Sequence, residues 1–137
     1  MFGGSFGKNL DIITRELDVS VLRRNVIANN IANSDTPNFK RSTVNFESQL
    51  KRALDSEKVK PFPTLMTDPR HIPFDRPMDY RDVTARRTLD YLTEAKNNGN
   101  NVDIEEEGME SLNNQLLYST LTQVISSEIQ RVNIVLR

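Results

Sequence analysis

Large apolar side chains recur at steps of three, four and seven residues near both ends of the 137-residue chain, the spacing that collects them on one side of an α-helix. In the first part of the chain this stripe consists of Leu10, Ile13, Leu17, Val21, Ala28 and Ile31. It predicts a helix over residues 8–33, preceded by a glycine-rich leader, residues 1–7, that we expect to be mobile. A second apolar set, Val19, Leu22 and Val26, lies away from the stripe, so one packing partner explains this helix poorly.

Proline separates this helix from the rest of the chain. Five of the six prolines lie within residues 61–77, and the sixth, Pro37, disfavours helical backbone at Thr36. We therefore expect the first helix to end near Asn33, which is a candidate for a left-handed C-cap. The pattern then predicts a short helix over residues 45–54, an irregular segment over 56–86 with short strands near 64–67 and 87–92, and an Asn/Gly turn over 97–101.

The last part of the chain has the strongest helical pattern. From Met109 onward, the apolar positions that recur at steps of three and four are Leu112, Leu116, Tyr118, Leu121, Ile125, Ile129, Val132 and Leu136. Asp103 is a good N-cap residue and Glu106 follows three residues later, which is the spacing of a capping box. The sequence therefore predicts a helix over residues 103–137.

Few charges accompany this second stripe. Residues 111–137 contain only three charged side chains, those of Glu128, Arg131 and Arg137, and most positions outside the stripe hold Ser, Thr, Asn or Gln. An exposed helix usually carries more Lys and Glu, so this face indicates contact with protein on several sides. A solvated face of Ser and Thr is the simpler alternative.

The predicted fold is mainly α. Long N- and C-terminal helices pack as a coiled-coil-like pair, parallel or antiparallel, so that residues 8–36 and 103–137 form a discontinuous helical assembly domain. Residues 37–102 form an irregular, Pro-rich middle segment. Only 36% of the residues are hydrophobic and there is no Trp, which is little material for an independent core. We therefore expect other protein subunits to complete the packing.

Composition excludes most enzyme chemistry. The chain has no Cys and a single His, which removes disulfides, thiolate metal sites, Cys nucleophiles and His-rich metal clusters. With 18 basic against 19 acidic residues, the formal net charge of −1 offers no basic surface for nucleic acid. No apolar run approaches the roughly 20 residues of a membrane span, and no cleavable signal is evident. We predict no catalytic residue, metal or cofactor, no nucleic-acid partner and no direct membrane span.

Two alternatives stay open at this point. His71, three residues after Asp68, has the residue types of an oriented base, but no nucleophile motif or second His accompanies it, so a surface His is the better interpretation. A helical adaptor or export chaperone, soluble and bound reversibly to a partner helix, would also explain two amphipathic helices at the chain ends.

Three segments carry a family resemblance. The run "ANNIANSDTPNFK" at residues 28–40, "GNNVDIEEE" at 99–107 and "LNNQLLYSTLTQVISS" at 112–127 resemble the bacterial flagellar axial proteins, and within them the basal-body rod protein family. The resemblance covers about residues 10–54 and 99–137. Two positions depart from it: Gly108, which we expect to delay or bend the second helix, and Glu128, where a basic residue is common.

The resemblance assigns roles to specific residues. The family motif and its helix-end turn comprise Asn29, Asn30, Ile31, Ala32, Asn33, Thr36, Pro37 and Phe39. The residues that would pack the helices during assembly are Leu10, Ile13, Leu17, Val21, Ile31, Leu116, Tyr118, Leu121, Ile125, Ile129, Val132 and Leu136.

The resemblance also implies a function. It implies a structural subunit of the proximal rod, exported unfolded by the flagellar type III apparatus and polymerised through its terminal helices to transmit torque. The implied partners are copies of itself, other rod subunits, the adaptor between rod and membrane ring, and export gate proteins. The implied location, after export from the cytoplasm, is the periplasmic rod of the basal body.

Overall fold

A computed structural model of the protein describes residues 4–59, 65, 67–72, 77–93 and 96–136. Over these residues the chain forms helix α1 (Ser5–Ala32), strand β1 (Ser42–Asn45), helix α2 (Glu47–Lys58), a 3-10 turn (Tyr80–Asp82), strand β2 (Arg86–Leu89) and helix α3 (Ile104–Val135). The prediction of a mainly α fold with long terminal helices is confirmed. The contacts divide the chain into two units, Met1–Val44 with Arg87–Arg137, and Asn45–Arg86.

Helix α1 begins and ends differently from the prediction. It starts at Ser5, before the predicted residue 8, so residues 5–7 are helical and residues 1–3 of the predicted leader lie outside the described residues. Asn33 is the C-cap, but its φ of −105° makes the predicted left-handed conformation wrong. The backbone N–H of Asn33 donates to the carbonyls of Asn29 and Asn30, and its side chain donates to Asn29 O (2.8 Å), so the helix end is satisfied without a left-handed residue. That conformation occurs at Asn38, with a φ of 60°.

The side of α1 that is buried is not the predicted stripe. Its buried residues are Val19, Ser20, Val26, Ile27 and Asn30. The stripe residues Val21, Ala28 and Ile31 are exposed, while Leu10, Ile13 and Leu17 are half-buried. Of the second apolar set, Val19 and Val26 lie on the inner face, whereas Leu22 is exposed. Two polar residues share that face, and hydrophobic periodicity cannot detect them.

Helices α1 and α3 pack against each other and run antiparallel. Asn30 contacts Glu107, Ser20 contacts Asn114, and Leu10 lines a cleft together with Val124, so positions later in α1 meet positions earlier in α3. The prediction that the two helices form a coiled coil stays a prediction.

Helix α3 spans 32 residues, about 48 Å at 1.5 Å per residue. Its buried and half-buried residues recur at the steps of a helix seam and are Glu107, Ser111, Asn114, Leu117, Leu121, Thr122, Ile125, Glu128 and Val132. Leu116, Tyr118, Ile129 and Leu136, which belong to the predicted packing set, are exposed. The helix begins directly after Asp103, so Gly108 does not delay its start.

The second unit contains α2 and the 3-10 turn. Helix α2 begins at Glu47 rather than residue 45 because the preceding residues enter β1, and it extends to Lys58 rather than residue 54. Within this unit the backbone N–H of Met78 donates to the Ser56 hydroxyl (2.9 Å), which ties the irregular segment to the end of α2. Of the two predicted strands, the later one is found at Arg86–Leu89, and it pairs with β1. Residues 64 and 66 of the earlier one lie outside the described residues, and residues 65 and 67 are not in a strand.

Candidate functional site

Within the first unit, the end of α1, the start of β1, the turn before α3 and the first turn of α3 meet in a cluster of polar side chains. We call this cluster the polar junction and define it by its residues Asn30, Arg41, Ser42, Asn100, Asn101 and Glu107. It connects positions more than 60 residues apart in the sequence. The junction therefore joins the N-terminal and C-terminal parts of the chain through hydrogen bonds as well as through the helix seam.

Asn30 is the centre of the junction on the α1 side. Its side chain is buried, its Nδ2 donates to Ser42 O (2.8 Å) and to Glu107 Oε2 (3.2 Å), and its Oδ1 accepts from the backbone N–H of Ser42 (3.1 Å). The carboxamide thus pairs with the backbone of β1 as a neighbouring strand would. This arrangement fixes the distance between the helix end and the strand that follows it.

Arg41 and Glu107 form an ion pair in the same cluster. Glu107 is 1% exposed and accepts from Arg41 Nε, while Arg41 Nη1 donates to the more exposed Glu106 carboxylate (2.7 Å). Burial alone would lower the pKa of the Arg41 guanidinium, but hydrogen bonds to Glu106 and Glu107 and the charges of both outweigh it and raise that pKa. Arg41 therefore stays charged, and the buried carboxylate of Glu107 keeps its partner.

Asn100 binds the C-cap residue of α1 and the turn that follows it. Its fully buried Nδ2 donates to Asn33 O (2.9 Å), Ser34 O (2.9 Å) and Thr36 O (2.8 Å), and its Oδ1 accepts from the backbone N–H of Val102 (2.7 Å). These carbonyls belong to the C-cap residue of α1 and to the turn that follows it, and the two amide protons of Asn100 are shared among the three acceptors. Asn100 thus fixes the turn after α1 across a sequence separation of more than 60 residues.

Asn101 holds the segment after β2. Its Oδ1 accepts from the backbone N–H of Arg41 (2.6 Å), and its Nδ2 donates to Asp90 O (2.8 Å). The Asp90 carboxylate in turn accepts from the Thr93 hydroxyl (2.6 Å) and from the backbone N–H of Leu92 (3.0 Å), and these hydrogen bonds lower the pKa of Asp90. Two consecutive asparagines thus order both the end of α1 and the loop that follows β2.

Sequence reasoning missed Asn100, Asn101 and Arg41 as site residues. The run "NNGNN" at residues 97–101 predicts a turn, in which Gly99 has a φ of +77°, and its last three residues carry part of the family resemblance, but neither signal assigns a contact to Asn100 or Asn101. A turn does not require four asparagines around one glycine, and this excess of asparagine is the signal in the sequence that some of them have a further role. Nothing in the local pattern around Arg41 indicates its carboxylate partners, because both lie on the distant helix α3.

A second feature lies on the outer side of α3, where the hydroxyl groups bond to their own helix. Between Glu110 and Glu128 the helix carries no charged residue. Five of the hydroxyls in that stretch donate to carbonyls three or four residues earlier, at 2.7–2.9 Å, and belong to Ser119, Thr120, Thr122, Ser126 and Ser127. A hydroxyl whose proton is already bonded within its helix can be covered by another protein without leaving its donor unpaired.

Comparison with known proteins identifies the family. The family model described as "Flagella basal body rod protein" matches residues 22–40, which contain Asn30 and the helix-end turn. The chain is 42% identical to the flagellar basal body rod protein FlgB of Borrelia hermsii over 96% of this chain and 98% of that protein. It is 40% identical to FlgB of Borreliella burgdorferi over the same shares, and 32% identical to FlgB of Bacillus subtilis over 99% of this chain and 95% of that protein. The chain belongs to the FlgB family.

FlgB proteins are structural proteins of the flagellar basal body rod and not enzymes. The expected family resemblance is therefore confirmed. The family model covers the α1 side of the polar junction, and the junction residues Asn100, Asn101 and Glu107 lie outside the matched segment. The FlgB relatives nevertheless align over nearly the whole chain, so the likeness is not confined to the motif.

The other FlgB motif residues surround the junction rather than enter it. Asn29, Ile31, Ala32, Thr36 and Pro37 are exposed, and Phe39 is half-buried. The turn is closed by backbone bonds from Thr36 N–H to Asn33 O (3.1 Å) and from Phe39 N–H to Thr36 O (3.3 Å). The exposed members leave a polar and proline-containing surface directly beside the ordered junction.

The two predicted helix-cap residues have different partners. Asp103 is the N-cap residue of α3, and its carboxylate accepts from the backbone N–H of Glu105 (2.9 Å). Glu106 was expected to complete a capping box, but its carboxylate accepts from Arg41 instead. The reason is that Arg41 brings a full positive charge, and a charge-assisted hydrogen bond is stronger than one to a backbone N–H.

Over the residues described, no group of His, Asp and Glu side chains has the arrangement of a metal site, and no helix is long and apolar enough to cross a membrane. Asp68 and His71 share a turn in which the backbone N–H of His71 donates to Asp68 O (3.0 Å). The Asp68 carboxylate accepts from the backbone N–H of Arg70 (2.8 Å). This arrangement is that of a surface turn.

Proposed function

We propose that this chain is a subunit of the proximal rod of the flagellar basal body, exported through the flagellar type III apparatus and polymerised through α1 and α3 to transmit torque. Its proposed partners are copies of itself, other rod subunits, the adaptor between rod and membrane ring, and export gate proteins. Its proposed location is the periplasmic rod. Membership in the FlgB family is the starting point of this proposal.

The outer side of α3 is the observation that supports assembly most directly. It combines the stretch without charge, hydroxyls bonded to their own helix and three large apolar side chains that are each more than half exposed and recur at helical spacing, Met109, Leu112 and Leu116. Clustered exposed apolar side chains are typical of a protein interaction site. Covering Leu112 and Leu116, which lie within the uncharged stretch, would bury apolar area without burying charge.

The polar junction supports the mechanical part of the proposal. A subunit that transmits torque must keep its two helices in register under load. Hydrophobic contacts are non-directional and allow sliding, whereas hydrogen bonds and ion pairs fix register. Asn30, Glu107 and Arg41 link α1, β1 and α3 at one end of the helix pair, and we infer that they oppose sliding of α1 along α3.

Leu116→Asp tests the proposal. Because Leu116 is 58% exposed in the free chain, we expect the free energy of unfolding to change by no more than about 0.5 kcal/mol. We also expect the variant to be exported but absent from isolated basal bodies, with loss of motility, because a buried unpaired carboxylate would oppose docking. The measurements are urea unfolding of the purified chain, its amount in basal bodies and swimming.

Asn97→Asp is the matched control, since it adds the same charge at an exposed turn position away from α3. It should assemble normally. Incorporation of Leu116→Asp at the wild-type level would contradict assembly through α3. If the purified chain forms a stable dimer and cells that carry Leu116→Asp swim normally, these two results together would support the adaptor or chaperone alternative instead.

A further inference from the structure

One asparagine of the chain is followed directly by glycine, and this pair lies in the turn beside the polar junction. The pair is Asn98 with Gly99, and every other asparagine of the chain precedes a residue that has a side chain. Asparagine is chemically labile, because the backbone nitrogen that follows it can attack the carbon of its carboxamide. Glycine carries no Cβ beside that nitrogen, so the attack meets the least steric hindrance at Asn98.

The fold requires the glycine at this position. Gly99 has a φ of +77°, a backbone conformation that residues with a side chain rarely adopt. A Cβ at Gly99 would also lie 2.6 Å from Asn38 Oδ1, which is too close for two atoms that are not bonded. The turn therefore places an unhindered backbone nitrogen directly after Asn98 and cannot exchange it for a hindered one.

The carboxamide of Asn98 is held beside that nitrogen. Its Oδ1 accepts from the backbone N–H of Asn100 (3.1 Å), and the ring closed by this hydrogen bond contains both the Asn98 Cγ and the Gly99 nitrogen. The Gly99 N–H donates to Lys96 O (3.1 Å), which fixes the orientation of its peptide unit. Two hydrogen bonds thus order the carbon and the nitrogen that would react.

The surroundings of the carboxamide also favour the reaction. Negative charge develops on Oδ1 when Cγ is attacked, and the Asn100 N–H already donates to that oxygen. A positioned backbone donor stabilises such an oxyanion. Asn98 is exposed, so water and hydroxide can reach the carboxamide.

We propose that Asn98 is a site of spontaneous deamidation in the folded chain. The Gly99 nitrogen gives its proton to hydroxide and forms a bond to Asn98 Cγ. The bond between Cγ and the carboxamide nitrogen then breaks, and ammonia leaves with a proton from water, which restores the hydroxide. Water opens the resulting succinimide at either of its two carbonyl carbons. The products are aspartate and iso-aspartate, and the net change in both is uptake of water and loss of ammonia.

The two products differ in their effect on the polar junction. Aspartate keeps an oxygen that can accept from the Asn100 N–H, so the turn keeps its shape. Iso-aspartate leads the main chain through the former side chain, which lengthens the backbone by one carbon. It also converts the Asn98 carbonyl, which accepts from the Asn38 N–H (3.0 Å), into a free carboxylate. Iso-aspartate therefore displaces Asn100 from the carbonyls that it binds after α1.

Timed incubation of the purified chain at mildly alkaline pH, followed by peptide mass spectrometry, tests the site. Asn97 is the internal control, since it is exposed in the same turn and precedes a residue with a side chain. We expect Asn98 to convert at least about tenfold faster than Asn97. Asn98→Gln should remove the fast conversion, because its longer side chain would have to close a six-membered ring. A protease that cleaves before aspartate but not before iso-aspartate separates the two products.

Two results would overturn the deamidation site. One is conversion of Asn97 and Asn98 at similar rates in the folded chain. The other is conversion of Asn98 only after the chain has been unfolded in urea, because the fold would then keep the reacting atoms apart. Neither result depends on rod assembly, so the inference is tested independently of the proposed function.

The effect on the junction has its own test. Hydrogen exchange at the backbone amides of Thr36 and Phe39, which close the turn after α1, should be at least about tenfold faster in the iso-aspartate fraction than in the unmodified chain. Asn98→Asp corresponds to the other product and should exchange like the unmodified chain. Equal exchange in the iso-aspartate fraction and in Asn98→Asp would overturn the effect assigned to the longer backbone.

Discussion

Asn100→Asp is expected to lower the free energy of unfolding by about 3–5 kcal/mol, the largest effect among the substitutions considered. The substitution keeps the shape of the side chain but removes the NH₂ group that donates to the carbonyls of Asn33, Ser34 and Thr36. It also places a carboxylate oxygen against those three carbonyl oxygens at a fully buried position. Urea unfolding of the purified chain, followed by far-UV circular dichroism, measures the difference.

Asn98→Asp is the matched control for that variant. Asn98 is exposed, and its Oδ1 accepts from the backbone N–H of Asn100 (3.1 Å), which a carboxylate can also do. We expect a change within about 0.5 kcal/mol. Equal destabilisation by both variants would show that Asn100 does not have the role assigned to it at the end of α1.

Glu107→Ala is expected to lower the free energy of unfolding by about 3 kcal/mol, since removing one partner of a buried ion pair leaves the other partly uncompensated. Arg41 would keep its exposed partner Glu106, so the cost lies at the lower end of the range for buried pairs. Asn30 would also lose the acceptor of one of its donor hydrogens. Thermal or urea unfolding measures this loss.

Glu106→Ala provides the comparison, because it removes a carboxylate from the same arginine at a position that is 54% exposed. Exposed ion pairs contribute about 0–1 kcal/mol, so the expected effect is small. A loss of stability as large as that of Glu107→Ala would mean that burial of Glu107 is not what makes its ion pair important.

The sequence was sufficient to predict the two long helices and the helical fold class. Apolar spacing and the cap residue Asp103 are local signals, and they located α3 to within a residue or two of its observed start and end. The end of α1 was also close, because Pro37 excludes further helix. What these signals share is that each depends only on neighbouring residues.

The inner face of α1 could not be predicted in the same way. Val21 and Val26 are equally apolar, yet Val21 is exposed and Val26 is buried. Ser20 and Asn30 share the buried face with Val26. The backbone carbonyl of Ser20 accepts from Asn114 on α3, and the Asn30 side chain bonds to β1. Polar contacts between residues that are distant in the sequence determine which face of α1 is buried, and the apolar pattern of one helix does not show such contacts.

The polar junction could not be predicted either, because it also depends on contacts between residues that are distant in the sequence. Arg41 and Glu107 are ordinary charged residues in the sequence, and their pairing follows only once β1 and α3 are adjacent. The family motif includes Asn30 and Asn33, but it does not include the residues to which their side chains or carbonyls bond across the junction. The excess of asparagine at residues 97–101 was the one local sign of the role of Asn100.

In the assembled rod we expect other subunits to cover the low-charge side of α3. Maleimide labelling of a Gln123→Cys variant measures this coverage, because Gln123 is exposed on that side and the chain has no cysteine of its own. We expect rapid labelling of the purified free chain and strong protection in isolated basal bodies. Labelling at the same rate in both preparations would contradict it.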